Sequence, residues 1–177
     1  MKNIFIMGKA GSGKDLTAAM LSRLYPVQSV ALADSIRDEY ERFFPEQIAR
    51  TDRAKLIEIG ETYKKLYGRH VWVNCVLEKI EWLTQCEVAA VVTDGRHQIE
   101  YDVFVNSLSY VPVFIDCPDY LRYDRLIKRD GTLQEGALAQ ECQELWTAKA
   151  FHLDNSGTPE QLEANVKKLM YVIEGGL

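Results

Sequence analysis

The chain has 177 residues, of which 47% are hydrophobic and 27% are charged, and its formal net charge is −5. This length and composition are typical of one globular domain that is large enough to bury its own core. The acidic balance argues against binding of polymeric nucleic acid, which needs a broad basic face. The longest apolar runs fall well short of the roughly 18 residues that cross a bilayer, so we expect no membrane association.

The chain has four cysteines, Cys75, Cys86, Cys117 and Cys142, and no two of them form a CxxC pair. The three histidines are not paired with the cysteines at the spacing of a zinc site. Zinc binding is therefore not expected. Free buried thiols are the simpler interpretation of Cys75 and Cys117. Residues 1–7 carry no signal-peptide pattern, and we expect a cytoplasmic protein.

The first predicted element is an apolar strand over residues 2–7, which leads into a glycine-rich turn and then a helix. The turn reads Gly8-Lys9-Ala10-Gly11-Ser12-Gly13-Lys14. Its spacing is that of a P-loop, in which glycines let successive backbone N–H groups face an anion. The helix start adds its positive dipole end, and Lys14 adds a charge for the β- and γ-phosphates of a nucleotide. A plain glycine-rich strand–helix turn is the alternative.

Asp15 departs from the usual motif, because a P-loop normally ends in Ser or Thr, whose hydroxyl binds Mg²⁺. A carboxylate at a helix N-terminus is a favourable cap or charge. A carboxylate is also a hard oxygen ligand for Mg²⁺. Both interpretations are compatible with nucleotide binding, and Asp15 argues only against a generic GTPase or motor protein.

Strand-like runs alternate with longer helical patterns along the chain, which predicts a parallel sheet built from strand–helix–strand units. The predicted strands are 2–7, 27–32, 87–93, 110–116 and 150–154. A helical insert over 34–84 separates the second strand from the third. Pro112 in the fourth strand favours a strand end or edge position. The last helix has Thr158 as N-cap, Pro159 at its first position and Gln161 at its third.

Charged residues follow the second strand and continue into the insert. Asp34 can cap the next helix. The cations of this region form a set that could hold the phosphate of an acceptor, although each alone is more simply a solvated surface charge. The set consists of Arg37, Arg50, Arg53, Lys64 and Lys65.

The third strand leads into Asp94-Gly95-Arg96. Polar residues at the carboxyl ends of parallel strands face the ligand crevice, on the same edge as the P-loop. Asp94 is therefore a candidate Mg²⁺ ligand beside the phosphates, and Arg96 is a candidate clamp for a phosphate group. A simple helix cap is the alternative for Asp94.

Three arginines, Arg122, Arg125 and Arg129, follow the fourth strand at a spacing that brings them to one helical face. Such a face is often only solvated, but phosphoryl transfer needs cations around its equatorial oxygens. A polar stretch over 131–144 follows them and could close as a lid. We therefore favour a functional role for Arg125 and Arg129 and leave Arg122 open.

Asn155-Ser156-Gly157 follows the fifth strand, and all three residue types favour turns. A loop at this edge of the sheet can also bracket a nucleotide base, with the Asn155 amide and backbone groups at its polar edge. A turn and a base contact are compatible with each other.

Taken together, these residues resemble the nucleoside-monophosphate-kinase-like group of P-loop kinases, and within it the deoxynucleoside monophosphate kinases common in phages. The resemblance covers nearly the whole chain. It rests on Gly13-Lys14-Asp15, Ala33-Asp34, Gly60-Glu61, Val71-Trp72-Val73-Asn74, Asp94-x-Arg96 with Glu100, the Arg125/Arg129 pair and Asn155-Ser156-Gly157.

The resemblance implies a three-layer α/β P-loop fold, with a five-stranded parallel sheet in a single domain. Its core is 1–33 and 85–177, its helical acceptor-binding insert is 34–84, and its small lid is about 130–147. The implied reaction transfers the γ-phosphoryl group of ATP, with Mg²⁺, to a (deoxy)nucleoside monophosphate. The implied protein is a monomer or a homodimer. The alternatives are a kinase for another small acceptor, of the dephospho-coenzyme A or phosphomevalonate type, and a nucleotide-binding NTPase without transfer.

The resemblance also implies roles for individual residues. The catalytic residues would be Lys14, Asp94, Arg96, Arg125 and Arg129. The donor nucleotide would be bound by Gly8, Lys9, Ala10, Gly11, Ser12, Gly13, Lys14, Asp15, Leu16, Arg125, Asn155 and Gly157. The acceptor would be bound by Asp34, Arg37, Lys64, Trp72 and Arg96. Mg²⁺ would be held by Asp15 and Asp94. Two departures affect the acceptor side: the lid segment from Gln134 to Thr147 has no arginine, and Lys64 or Lys65 stands where an arginine is expected.

Overall fold

A computed structural model describes residues 1–46, 53–132 and 149–176. These residues contain five strands in one parallel sheet, with the spatial order β2-β3-β1-β4-β5. The strands are β1 (Ile4–Met7), β2 (Val27–Ala31), β3 (Ala89–Gly95), β4 (Val111–Asp116) and β5 (Phe151–Asp154). The predicted five-stranded parallel α/β fold is confirmed.

Seven α-helices occur in the same residues. They are α1 (Lys14–Leu24), α2 (Asp34–Phe43), α3 (Arg53–Tyr67), α4 (Val71–Gln85), α5 (Gln98–Tyr101), α6 (Asp119–Asp130) and α7 (Pro159–Ile173). The short α5 runs directly into a π-helical segment, Asp102–Ser107. No helix of the described ranges combines the length and the apolar character that crossing a bilayer requires.

The central strand β1 is buried on both faces of the sheet. Successive side chains of a strand point to opposite faces. Ile4 and Ile6 pack in one core with α1 and α7, whereas Phe5 and Met7 pack in a second core with α4 and the π-helical segment. Helices therefore cover both faces, which produces the three layers and explains why β1 is apolar without alternation.

The third strand lies two residues further along the chain than the predicted span 87–93. Glu87 has a positive φ of 57°, and the N–H of Val88 donates to the carbonyl oxygen of Leu83 at 3.0 Å. These residues therefore finish α4 and do not begin β3. At its other end β3 remains paired as far as Gly95.

Pro112 is tolerated because of its position in β4. The strand is interior and not at an edge, but Pro112 is its second residue. Pairing of β4 with β5 begins only at Val113, so the missing N–H of proline removes no bond from that ladder. The strand-end interpretation was the right one.

The predicted start of the last helix is confirmed in detail. The hydroxyl of Thr158 accepts a hydrogen bond from the N–H of Gln161, whose side chain accepts from the N–H of Thr158 at 2.8 Å. Between β2 and β3 the chain is helical in α2, α3 and α4, in agreement with the pattern of the predicted insert. Most of the predicted lid, together with Arg50 and Cys142, lies outside the described residues.

Candidate active site at the P-loop

The turn between β1 and α1 depends on three glycines with positive φ angles. Gly8, Gly11 and Gly13 have φ of 150°, 76° and 98°. A side chain on Gly11 would also have no room, because its Cβ would lie 2.7 Å from the carbonyl oxygen of Arg122. The glycines therefore permit both the curl of this loop and its close approach to α6.

Lys14 is the first residue of α1, and its side chain folds back across the loop. Its ammonium nitrogen donates to the carbonyl oxygen of Gly8 at 2.8 Å and to that of Lys9 at 3.2 Å. The residue is buried, with 7% of its surface exposed. A nearly buried cation is therefore held at the concave side of the loop.

Residues from distant parts of the chain fix the far end of the loop. Asn155 donates from its amide nitrogen to the carbonyl oxygen of Ser12 at 2.6 Å. Arg125 donates to the same oxygen at 3.5 Å and to the carbonyl oxygen of Asn155 at 3.2 Å. A Cβ on Gly13 would overlap the Asn155 amide. The turn after β5, helix α6 and the P-loop therefore pack as one unit.

Asp94 owes its position to a bulge in β3. Phe5 of β1 pairs with Val92, but the next pair is Met7 with Gly95. One extra residue of β3 must be accommodated there, and Asp94 adopts a left-handed conformation with φ of 66°. Bulges beside active sites commonly redirect a side chain in this way.

A buried glutamate holds the loop that follows the bulge. One carboxylate oxygen of Glu100 accepts from the N–H of Arg96 at 2.6 Å and from that of His97 at 2.9 Å. Burial raises the pKa of Glu100, and these two N–H groups oppose that rise. Position 95 accommodates only glycine, since a Cβ there would overlap the ring of Phe5.

These groups surround one cavity of about 450 Å³. Its charged lining consists of four cationic and two anionic side chains, in a chain whose net charge is negative. The lining residues are Ala10, Gly11, Gly13, Lys14, Asp15, Leu16, Asp94, Arg96, Arg125, Leu126, Arg129, Asn155, Gly157 and Pro159. The cavity is therefore a cationic site with two carboxylates in its wall.

The arginines of this cavity differ in how they are held. Arg125 is tied to the backbone by the bonds described above. Arg129 forms a two-pronged pair with the neighbouring Asp130, at 2.7 and 2.8 Å. That pairing raises the pKa of Arg129 above its usual value. Arg96 lies 3.9 Å from the carboxylate of Asp94.

Of the five predicted acceptor-binding residues, Arg96 lines this cavity and the other four do not. Asp34 accepts from the N–H of Ala31 at 3.1 Å and pairs with Arg37 at 2.6 Å. It borders a second, more apolar groove of about 330 Å³ along β2. Its carboxylate thus satisfies the N–H of the last residue of β2.

The other two lie in the helical region between β2 and β3. Lys64 pairs with Glu61 at 2.9 Å. Trp72 is buried and donates from its indole nitrogen to the carbonyl oxygen of Gly60 at 3.1 Å. Its ring stacks on Tyr63, with 5.1 Å between the ring centroids. The observed contacts of Trp72 are those of a residue that packs α3 against α4.

Comparison with known proteins identifies the family. A family model described as an AAA domain matches residues 4–145. The chain belongs to this AAA domain family. No curated protein sequence gives a significant match to the AAA domain chain.

Solved structures similar to this AAA domain protein cover nearly all of it. TT1252 from Thermus thermophilus is 25% identical, with a TM-score of 0.59 over 99% of this chain and 100% of that chain. A sugar kinase from Janibacter sp. is 17% identical, with a TM-score of 0.63 over 99% and 96%. Dephospho-CoA kinase from Campylobacter jejuni is 17% identical, with a TM-score of 0.56 over 97% of both chains. The AAA domain protein therefore shares its fold with these solved structures, two of which are kinases.

The role of one residue of this region, Arg122, does not follow from the spacing of the three arginines. Arg122 is completely buried beneath the P-loop. Two signals in the sequence would have indicated this: Arg122 precedes the buried Leu126 by four residues, and it follows Asp119 by three. An arginine on the apolar stripe of a helix, with an acid one turn before it, is typical of a paired interior cation.

Proposed function

We propose that this protein is an ATP-dependent kinase that transfers the γ-phosphoryl group of ATP to a (deoxy)nucleoside monophosphate. The observation that carries the proposal is that residues of the P-loop, two carboxylates and three arginines line one and the same cavity. Phosphoryl transfer depends on positioning and on compensation of negative charge, and it needs little covalent chemistry from the protein. The cationic lining supplies that compensation.

The donor phosphates would be bound by the P-loop, from Gly8 to Leu16. Its backbone N–H groups and the positive end of α1 favour an anion. Lys14 adds a charge that is already desolvated, so its interaction with phosphate is weakly screened. Gly157, Asn155 and Arg125 border the same cavity and are proposed to contact the donor, with Asn155 and Gly157 beside its nucleoside part.

Asp15 and Asp94 fit a magnesium ion, because both carboxylates line the cavity beside Lys14. Within the described ranges no group of three or more His, Cys, Asp or Glu side chains could hold a metal. Two carboxylates, completed by phosphate oxygens and water, are the coordination that Mg²⁺ prefers. The bound ion would neutralise charge on the donor phosphates.

The chain's own residues would then perform the transfer by orientation. An acceptor oxygen attacks the γ-phosphorus in line, the bond from that phosphorus to the β-phosphate oxygen breaks, and ADP leaves. Arg125 and Arg129 of α6, which line the same cavity, would compensate charge on the transferred group. Arg96 would hold the acceptor phosphate on the side of Asp94.

The acceptor is proposed from the resemblance and from the cations between β2 and β3. Four of the proposed acceptor-binding residues lie outside the cavity, so contact with an acceptor requires the helices that carry them to approach the cavity. These residues are Asp34, Arg37, Lys64 and Trp72. Closure of the region 34–84 and of the lid, about 130–147, would bring this about and exclude water.

A second acceptor class has its own support. The similarity to a dephospho-CoA kinase extends over 97% of both chains, and the segment from Leu126 to Gly131 also resembles that family. Dephospho-coenzyme A is therefore the first alternative to a nucleoside monophosphate, and phosphomevalonate is a further one because the ending Gly13-Lys14-Asp15 also resembles the kinases that act on it.

A coupled assay of ADP release tests the proposal with ATP, Mg²⁺ and a panel of deoxynucleoside and ribonucleoside monophosphates, dephospho-coenzyme A and phosphomevalonate. We expect ADP release that depends on one nucleoside monophosphate and is lost in Lys14→Ala. Lys167→Ala, which removes a surface lysine paired with Glu163, is the matched control and retains activity. Dependence on another acceptor would replace the nucleotide assignment. Equal hydrolysis with and without every acceptor would indicate an NTPase.

A further inference from the structure

Arg122 is a charged residue with a completely buried side chain, and its contacts account for all three of its guanidinium nitrogens. Nε and Nη2 donate to the same carboxylate oxygen of Asp119, at 3.1 and 2.8 Å. Nη1 donates to the carbonyl oxygen of Ala10, in the P-loop, at 2.8 Å. Burial of a cation is expensive unless it is paired and hydrogen-bonded. The guanidinium is therefore fixed in one place by these partners.

The bond to Ala10 constrains the orientation of a peptide group in the phosphate-binding loop. In a trans peptide the C=O and N–H bonds point in opposite directions. Because the carbonyl of Ala10 points to Arg122, the N–H of Gly11 points away from α6. Gly11 lines the cavity and lies so close to α6 that its Cβ would be 3.0 Å from the side chain of Leu126.

Asp119 connects the same guanidinium to a second point of the loop. Its carboxylate lies 3.9 Å from the ammonium nitrogen of Lys9. The side chain of Asp119 is 56% exposed, whereas that of Arg122 is 1% exposed. The exposed acid therefore orients the buried cation without itself being part of the core.

We propose that Asp119 and Arg122 are positioning residues, which hold the P-loop in the conformation that binds phosphate by fixing the peptide between Ala10 and Gly11. We call this pair the clamp. The proposal rests on the proposed function, since it assigns the clamp a role in nucleotide affinity. The clamp touches backbone and not the reacting groups, so its effect appears as pre-organisation of the phosphate site.

Asp119→Asn is the first test, because it changes an exposed side chain and leaves an amide oxygen that can still accept from the buried guanidinium. The substitution keeps the size of the side chain and removes the charge that holds the guanidinium. We expect the dissociation constant for ATP with Mg²⁺ to rise about tenfold, the size expected for a charged hydrogen bond. The KM for ATP should rise while kcat changes by less than about threefold, as expected for lost ground-state organisation.

The matched control is Asp124→Asn, on the same helix. Asp124 pairs with Lys128 at 2.7 Å on an exposed face, and the substitution removes the same charge from α6 without reaching the P-loop. Arg122→Lys is the second clamp variant. It keeps the charge, but an ammonium lacks the planar fork that reaches Asp119 and Ala10 together.

Hydrogen exchange of the Ser12 amide provides a readout that does not depend on activity. This amide donates to the carbonyl oxygen of Lys9 at 3.1 Å within the loop. In both clamp variants we expect faster exchange at Ser12, with amides of the buried strand β1 unchanged. A merely structural role would instead accelerate exchange in β1 as well.

The outcomes separate the two proposals. If Asp119→Asn matches Asp124→Asn in Ser12 exchange and in ATP affinity, the clamp is wrong. If the wild-type protein binds no ATP with Mg²⁺, the proposed function fails, and Ser12 exchange alone decides whether the clamp holds the loop. Faster exchange at Ser12 with weaker ATP binding supports both.

Discussion

The side-chain amide of Asn155 donates to the carbonyl oxygen of Ser12 at 2.6 Å, across 143 positions of the sequence. This bond joins the turn after the last strand to the loop after the first. Asn155 is buried, with 3% of its surface exposed, so its amide is a structural partner of the P-loop. The peptide between Ser12 and Gly13 is thereby fixed, and its N–H is directed away from Asn155.

Gly13→Ala should abolish nucleotide binding. The new Cβ would overlap the Asn155 amide at a position whose φ of 98° alanine rarely adopts. We expect loss of ATP binding beyond about a hundredfold, since the last turn of the phosphate-binding loop must move. Isothermal titration calorimetry measures this directly.

Gly68→Ala is the control for the backbone strain alone. Gly68 has a similar φ of 90°, but a Cβ there would meet no atom of the described part of the chain within 4 Å. We expect destabilisation of about 1 kcal/mol and unchanged ATP affinity. Equal affinities in the two variants would show that the contact between Gly13 and Asn155 is unimportant.

Asp94→Asn should remove activity without harming the fold. Asparagine tolerates the left-handed conformation that the bulge imposes on this residue, but it carries no charge for a metal. We expect kcat to fall at least about a hundredfold and the Mg²⁺ concentration needed for half-maximal activity to rise. Thermal unfolding should be unchanged. A variant with wild-type Mg²⁺ dependence would exclude Asp94 as a ligand.

Tyr110→Phe should stabilise the protein. The hydroxyl of Tyr110 is buried and has no hydrogen-bond partner among the residues that the structure describes, and burial raises the pKa of Tyr110 to about 12. Its removal relieves an unsatisfied polar group, so the free energy of unfolding should rise by about 1 kcal/mol. Tyr63→Phe is the matched comparison and should lose stability, because its hydroxyl donates to Glu39 at 3.0 Å. Urea denaturation of both variants decides, and a destabilised Tyr110→Phe would contradict the argument.

Glu100→Gln should change how stability depends on pH. Burial raises the pKa of Glu100. A carboxyl with a higher pKa in the folded protein stabilises the fold in acid, and that contribution is lost as the pH rises from 4.5 through the folded value. Glutamine can still accept from the N–H groups of Arg96 and His97 but does not ionise. The free energy of unfolding of the variant minus that of wild type should therefore be more positive at about pH 8 than at about pH 5.

Glu163→Gln provides the opposite sign. Lys167 and Arg23 lower the pKa of Glu163, so its contribution is present above 4.5 and is lost as the pH falls through the folded value. The free energy of unfolding of Glu163→Gln should therefore fall further below that of wild type at neutral pH than in acid. If the two variants shift in the same direction between the two pH values, the explanation for Glu100 is wrong.

The fold could be predicted because local rules and tertiary structure agree in most elements. The unbroken apolar run around Val91 is typical of a strand that is covered on both faces. The capping residue Thr158 indicates the start of a helix. The bulge at Asp94 could not be predicted, since it arises from the register between β1 and β3, which no local pattern encodes.

The placement of the candidate site residues was predictable where a motif has an obligatory geometry. The P-loop and Asp94 lie at adjacent strand ends and share one cavity. The placement of the proposed acceptor-binding residues was less predictable, because Asp34, Arg37 and Lys64 pair with other residues of the chain. Charges on helices can pair locally or reach a ligand, and the sequence does not distinguish these two arrangements.

Calorimetric titration of the wild-type protein with ATP and Mg²⁺ tests the central claim most directly, with Lys14→Ala as the comparison. Our account predicts saturable binding of one ATP by the wild type and at least about a hundredfold weaker binding by the folded variant. Absence of binding by the folded wild-type protein, or equal affinities of the two proteins, would contradict it.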